Sequence, residues 1–328
     1  AALRYLLFAL LGSVMYLLGT ALIYSLYGTL DIVLLREITR PDGLLFLAVA
    51  LMTVGLLAKT ALFPLHIWLP AAHAGAPAPA SAVLSALVVK GSFFIILRLW
   101  FDVLPAGVGT IGAQVLGGLG ALAILIGSVL ALRQARLKLL IAYSTVAQIG
   151  YLFLVFPLAT GASASEPYAS IAWTGGLLQL AAHAFAKAAM FLAAGLVYEA
   201  FGHDRIAGLA GAGRVIPLTF LAFGLGGMSL MGLPPSGGFS AKWLMLNASV
   251  GEAQWWWAVI ILLGGLLAAG YVFRVLVPAT ARPLGPVAVK GAVSRRRELV
   301  ALALALVALA IGFVPLEPAP LLAIGRGA

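Results

Sequence analysis

The chain contains no cysteine, which excludes a disulfide framework, a thiolate metal site and iron–sulfur ligation by its own residues. Acids are scarce as well: 10 Asp and Glu in 328 residues, against 20 Lys and Arg, with only 4 His. Charged residues make up 9% of the chain, where a soluble domain carries about 25%. No Walker, Rossmann or CxxCH pattern occurs, and the HAFAKAAM stretch lacks the HExxH of a zinc hydrolase. The sequence therefore points to no cofactor and no metal. What it has in abundance is apolar surface: 63% hydrophobic residues and a mean hydropathy of +1.12. The runs are long and lack the alternation of a barrel, so the fold class is all-α integral membrane. The net charge of +10 reads as loop charge rather than a nucleic-acid surface.

Nine apolar segments follow one another: 3–27, 43–75, 78–103, 109–132, 138–158, 168–200, 215–250, 255–280 and 298–316. A helix needs about 20 residues to span. Two segments are too long for one straight span, and each holds a Pro/Gly cluster, FPLHIWLP in one and GLPPSGGFS in the other. Proline removes a backbone donor and glycine loosens a turn, so both are expected to be broken helices. Such breaks in corresponding places of two halves mark ion sites in transporters built from inverted repeats. Alternating the spans puts Arg4, Arg133, Arg136, Lys138, Arg205, Arg214, Arg282, Lys290 and Arg295–Arg297 on one side. Arg36, Arg40 and Arg326 fall on the other, so the amino end of this segment is expected in the cytoplasm. The basic stretch 281–297 reads as a solvated connector, and the 255–257 tryptophans with Trp243 read as interfacial anchors.

Six basic residues remain inside apolar segments. Arg98 and Arg274 sit toward segment ends and can snorkel. Lys59, Lys90, Lys187 and Lys242 are harder to dismiss, since a lysine in hydrocarbon costs about 2.5–3.5 kcal/mol on insertion scales. For any one of them the alternative is a charge pairing that fixes helix packing. Asp102 and Glu199 are the only carboxylates expected near span depth, both toward helix ends, so acidic partners are lacking. A lysine kept from water and near other cations can load and release a proton near neutral pH. His183 lies one helical turn before Lys187, and histidine titrates in that range. The row Lys59, Lys90, His183, Lys187, Lys242 is thus a candidate proton path. Pro64, His66, His73, Pro234, Pro235 and Gly237 mark the breaks and any gating there. Ser144, Thr145 and Gln148 either hold water along the path or bond carbonyls of the preceding turn.

These residues carry a resemblance. The stretch from Lys59 to Lys90, KTALFPLHIWLPAAHAGAPAPASAVLSALVVK, resembles the antiporter-like membrane subunits shared by respiratory complex I, membrane-bound hydrogenases and Mrp-type Na⁺/H⁺ antiporters. LKLLIAYSTVAQIGY, HAFAKAAMFL and LPPSGGFSAKWLML resemble later pieces of that family, in the same order. The resemblance implies about fourteen transmembrane helices, ten of them in two inverted five-helix repeats. This chain would supply helices six to fourteen: about nine spans, two of them broken. Its units would be 1–104, the second part of the first half; 105–280, the second half; and 281–328, a basic connector and terminal helix. Lys59 would be the central lysine of the first half-channel. Lys90, His183 and Lys187 would form a midplane axis, and Lys242 would end the second half-channel. The opening helix resembles the family's sixth. A glutamate that partners the Lys59 position would therefore come from helices in another chain, or from a longer form of this one, unless the protein is a non-pumping relative.

The expected function is translocation of protons, with Na⁺ exchange open, as a membrane subunit of a larger energy-coupling complex. Energising a bicarbonate- or CO₂-accumulating complex, or a non-conducting scaffold, are the alternatives. The chain is not expected to be a catalyst alone; it would be the pumping subunit of a translocase resembling NADH:quinone oxidoreductase. Its partners would be other membrane subunits, including one that supplies the first helices, and the bilayer. The expected location is the bacterial inner membrane.

Overall fold

Hydrocarbon offers backbone groups no partner, so long apolar runs must close their hydrogen bonds internally as helices. A computed structural model describes residues 2–105, 109–160, 167–283, 285 and 287–313. Their elements are helices, with one isolated antiparallel bridge between Arg136 and Arg205. They are α1 (Ala2–Tyr27), the short α2 (Ile32–Ile38), α3 (Gly43–Thr60), α4 (Trp68–Gly75) and α5 (Ala78–Val103). Then come α6 (Thr110–Leu132), α7 (Leu137–Ala159), α8 (Pro167–Phe201), α9 (Pro217–Met231), α10 (Gly237–Gly251), α11 (Trp255–Thr280) and α12 (Arg295–Ala310).

Seven stretches among the described residues are long and apolar enough to cross a membrane: α1, α3 with α4, α5, α6, α7, α8 and α11. The protein is a multi-pass membrane protein. Two further expected segments contain shorter helices. The stretch 215–250 divides into α9 and α10 at 15 residues each, and the last segment is a 16-residue helix, α12. Residues 314–316 of that segment, and Arg326, lie outside the described residues.

Burial ranks the helices. From Leu137 to Ala159, α7 is buried along almost its whole length, so it is the pillar of the bundle. By contrast α1 buries only Gly12, Gly19 and Ile23; it sets Tyr5 against Trp68 of α4 but packs mainly on α3. That contact is close: a Cβ on Gly12 would lie 2.6 Å from the Gly55 carbonyl oxygen, and one on Gly55 would lie 2.5 Å from that of Gly12. Small residues let membrane helices approach in this way when no hydrophobic drive separates helix from lipid.

Both long segments break, and the two breaks are alike. In each, the first helix ends in a left-handed residue, Ala61 (φ 59°) or Gly232 (φ 80°). The next N–H returns to the carbonyl five residues back, Leu62 to Leu57 and Leu233 to Met228. A cis proline follows in both, Phe63–Pro64 and Pro234–Pro235. Ala61 and Gly232, Leu62 and Leu233, Pro64 and Pro235 are each 171 residues apart, so the two breaks superpose in sequence position for position.

Hydrogen bonds sort the loops into two ends. At one end Leu137 N–H reaches Asp204 O, Ile206 N–H reaches Ala135 O, Lys290 N–H reaches Ala200 O, and Lys138 donates to Ala76 O. At the other, Thr39 donates to Val103 O and Gln114 to Gln254. The basic loops thus gather at one end. Lys290 and Arg297 anchor the 281–297 stretch there, Arg297 on Glu199 at 2.5 Å, while most of its described residues are exposed.

Candidate ion path

Four lysines stand in apolar sequence, and the fold treats them differently. Lys90, Lys187 and Lys242 are buried, whereas Lys59 is half-buried. Among the described residues Lys59 has no hydrogen-bond or ion-pair partner. It lies in the last turn of α3, its stem beside Gly12 of α1.

Lys90 Nζ donates to the Ser85 carbonyl at 2.7 Å, across a wide helical turn at Leu84–Val88. Ser85 and Thr145 hydroxyls lie 3.0 Å apart. Thr145 spends its one proton on Ile141 O, so Ser85 is the donor between them. Lys187 Nζ reaches the same Ile141 carbonyl at 3.0 Å and Ser144 Oγ at 2.5 Å. Ser144 and Thr145 therefore do bond the preceding turn, as one expectation held, and also join Lys90 to Lys187. One turn along α8 stands His183, fully buried, with neither ring nitrogen partnered by protein among the described residues. Another turn back, Gln179 donates to Gln148 Oε1 at 3.0 Å. Gln148 in turn donates to Leu230 O at 3.1 Å and to Tyr271 at 3.3 Å.

Leu230 O closes the row from the other side, because Lys242 also donates to it. The Lys242 ammonium sits 4.3 Å from the Tyr151 ring centroid, a cation–π contact. Leu230 is the counterpart of Lys59 under the 171-residue correspondence. The second break thus brings a lysine from its far helix to the place where the first break has one in its near helix.

The break residues have separate roles in packing. Trp68 Nε1 donates to Ala58 O at 2.8 Å, adding a short bond to a carbonyl that otherwise accepts only the 3.4 Å contact from Ala61 N–H at the end of α3. His66 is buried against Phe63, ring centroids 5.4 Å apart. His73 stacks on Phe191 at 4.5 Å, and both its nitrogens lack a protein partner among the described residues. In the second break Ser236 caps α10 through Phe239 N–H, and Gly238 N–H donates to Ser229 Oγ.

Several expectations change. Arg98 does not snorkel alone: it holds buried Asp102 at 2.8 Å, one turn away. Glu298 is a third carboxylate near span depth; buried, it accepts from the backbone N–H and hydroxyl of Thr219 and so caps the first turn of α9. Trp243, Trp255 and Trp256 are exposed, but Trp257 is buried and donates to Gln254 at 2.9 Å, so it is no interfacial anchor. Gln179, Tyr151 and Tyr271 join the row without having been expected there. The spacing of Gln179, one turn before His183, was the available signal.

A family described as NADH:quinone oxidoreductase/Mrp antiporter, transmembrane, matches residues 1–268. The chain belongs to this family. Subunit N of the NADH-quinone oxidoreductase of Desulforudis audaxviator (strain MP104C) is 36% identical over 280 residues, covering 84% of this chain and 54% of that protein. A chain of the Mrp complex from Dietzia sp. DQ12-45-1b superposes with a TM-score of 0.82 at 25% identity, covering 98% of this chain and 66% of that one. A chain of the membrane-bound sulfane sulfur reductase, an archaeal respiratory membrane complex, gives 0.83 at 27% identity, covering 98% and 64%. The antiporter family resemblance thus holds over most of the sequence. The chain spans about half the length of the first relative and about two-thirds of the two structural neighbours.

Proposed function

We propose that the chain moves protons through the row Lys90, Lys187, His183 and Lys242, as a membrane subunit of an energy-coupling complex. One observation carries the reading. Each of the three buried ammonium groups rests on neutral oxygens: Ser85 O; Ile141 O and Ser144 Oγ; Leu230 O. A lysine that fixed packing through an ion pair would leave a buried carboxylate behind on losing its proton. Lysines on carbonyls and hydroxyls leave none, so they can alternate between charge states at modest cost. Coupling is electrostatic: two charges about 6–8 Å apart at an effective dielectric near 20 interact by roughly 2–3 kcal/mol. That is worth about two pK units between successive sites. The unpartnered nitrogens of His183 are where water would complete the row.

The same reading assigns Lys59 to the first half-channel. Its half-buried ammonium needs a carboxylate on a face that α1 and α3 leave open. Helices from the rest of the protein, or from a neighbouring subunit, would bring it. The 171-residue correspondence of the breaks supports two related halves meeting near residue 104. The gathering of basic loops supports a cytoplasmic orientation for that end, in a bacterial inner membrane.

The test is Lys242→Ala in the assembled complex, reconstituted into vesicles with a pH-sensitive dye. Coupled proton movement should fall at least tenfold with subunit composition unchanged. Transport at the wild-type rate would overturn the row.

A further inference from the structure

A cavity of about 700 Å³ opens at the basic end of the bundle, apart from the lysine row. Its walls are the 74–79 turn after the first break, the start of α7, the last turns of α8 and the first turn of α12. None of Lys59, Lys90, Lys187 or Lys242 lines it. We propose that this cavity binds the phosphate of an anionic membrane phospholipid, with the acyl chain lying along the α8 wall.

The charge inventory favours an anion. Arg136, Lys138 and Arg297 line the cavity against two carboxylates, Glu199 and Asp204. Arg136 commits Nε to Asp204 at 2.9 Å, and Arg297 commits one terminal nitrogen to Glu199 at 2.5 Å. A guanidinium carries five N–H donors, so most of each fork remains unspent. Lys138 uses one of its three donors on Ala76 O. Each cation is therefore held in place by a partner while keeping donors for an incoming phosphate, the arrangement bidentate recognition needs.

Depth favours a lipid over a free anion. The lining on α8 runs from Glu199 near the helix end back to Leu192, nine residues before Phe201. At 1.5 Å per residue that is about 13 Å below the helix end, the depth of acyl chains rather than of water. The deeper lining is Leu192 and Leu196, with Val300 of α12. The floor is narrow where Gly195 meets α5, since a Cβ there would lie 2.4 Å from the Ala78 Cβ. A polar rim above an apolar slot, at the end carrying the basic loops, is how basic pockets between spans take lipid head groups. A lipid held here would bridge the turn after the first break to α8 and α12.

The experiment is native mass spectrometry of the complete protein, purified in mild detergent, stripped of lipid and titrated with dioleoyl phosphatidylglycerol or dioleoyl phosphatidylcholine. The proposal expects phosphatidylglycerol to bind at least tenfold more tightly. That preference should vanish in the Lys138→Gln/Arg297→Gln double variant. Glu199→Gln, which removes a competing carboxylate from the rim, should strengthen it. Equal retention of the two lipids by the wild type, or an undiminished preference in the double variant, would overturn the proposal. Displacement of phosphatidylglycerol by inorganic phosphate at equal concentration would overturn it too, in favour of a soluble anion. Proton movement is not part of the readout, so the result stands whatever the fate of the lysine row.

Discussion

Trp68 shows how single side chains hold this membrane interior together. Its indole gives the Ala58 carbonyl, one residue before Lys59, its short bond at 2.8 Å, beside a 3.4 Å contact from Ala61 N–H. Trp68→Phe keeps an aromatic ring and removes the donor, so the carbonyl keeps only the long Ala61 contact, at a cost of about 0.5–1.5 kcal/mol. A lowered unfolding temperature, with helix content unchanged by circular dichroism, would check it. The lysines should behave in the opposite way. Lys187 is fully buried, and Lys187→Met replaces a desolvated cation with an apolar group of similar length. The variant should unfold at the same or a higher temperature than the parent while proton movement in reconstituted vesicles falls at least tenfold. A residue that only fixed packing would lose stability and keep transport. At this scale the charges were legible and their partners were not. A lysine in an apolar run announces itself, but Gln179 and Tyr271 carry no charge, and they meet Gln148 from 31 and 123 residues away. Glu298 sits at the edge of an apolar segment and finds Thr219 from 79 residues away.

The two broken helices are the elements on which the row depends. Proline and glycine clusters revealed both in the sequence, because neither residue suits the interior of a helix. Their correspondence was legible there too, but its exact register was hidden, since the left-handed position is a glycine in one and an alanine in the other, at φ 59°. Alanine pays a steric penalty there that glycine avoids. Ala61→Gly should therefore be tolerated, with little change in unfolding temperature. Gly238 admits no such freedom, because a Cβ would lie 1.9 Å from the Ser229 carbonyl oxygen. Gly238→Ala should force the second break open, cost about 1–3 kcal/mol as overpacking, and shift Lys242 away from Leu230. Gly224, in α9 on the other side of the break, is the control: its added Cβ would meet nothing closer than 3.7 Å. Gly224→Ala should leave stability equal or raise it by about 0.5–1 kcal/mol, as the helix former replaces the poorer one. Thermal unfolding of the two variants side by side separates a packing constraint from a general intolerance of change.

At the scale of the molecule, a bundle with one central pillar carries a polar row from Lys90 to Lys242 while α1 and α3 present Lys59 only half covered. Membrane class and the two breaks could be read directly, since apolar length and Pro/Gly clusters are local properties. The course of the row could not, because it runs through bonds between distant helices and through neutral amides that resemble ordinary core. On the proposed reading the buried lysines work by giving up their protons, and fixed positive charge does not replace them. Arginine keeps the charge and does not release a proton in this range. The most direct measurement is proton uptake by vesicles containing the assembled complex with Lys187→Arg or Lys242→Arg, beside the corresponding alanine variants. The account predicts that both arginine variants assemble and are as inactive as alanine. Arginine variants that sustain transport at the parental rate would contradict it, since the lysines would then serve as static charges.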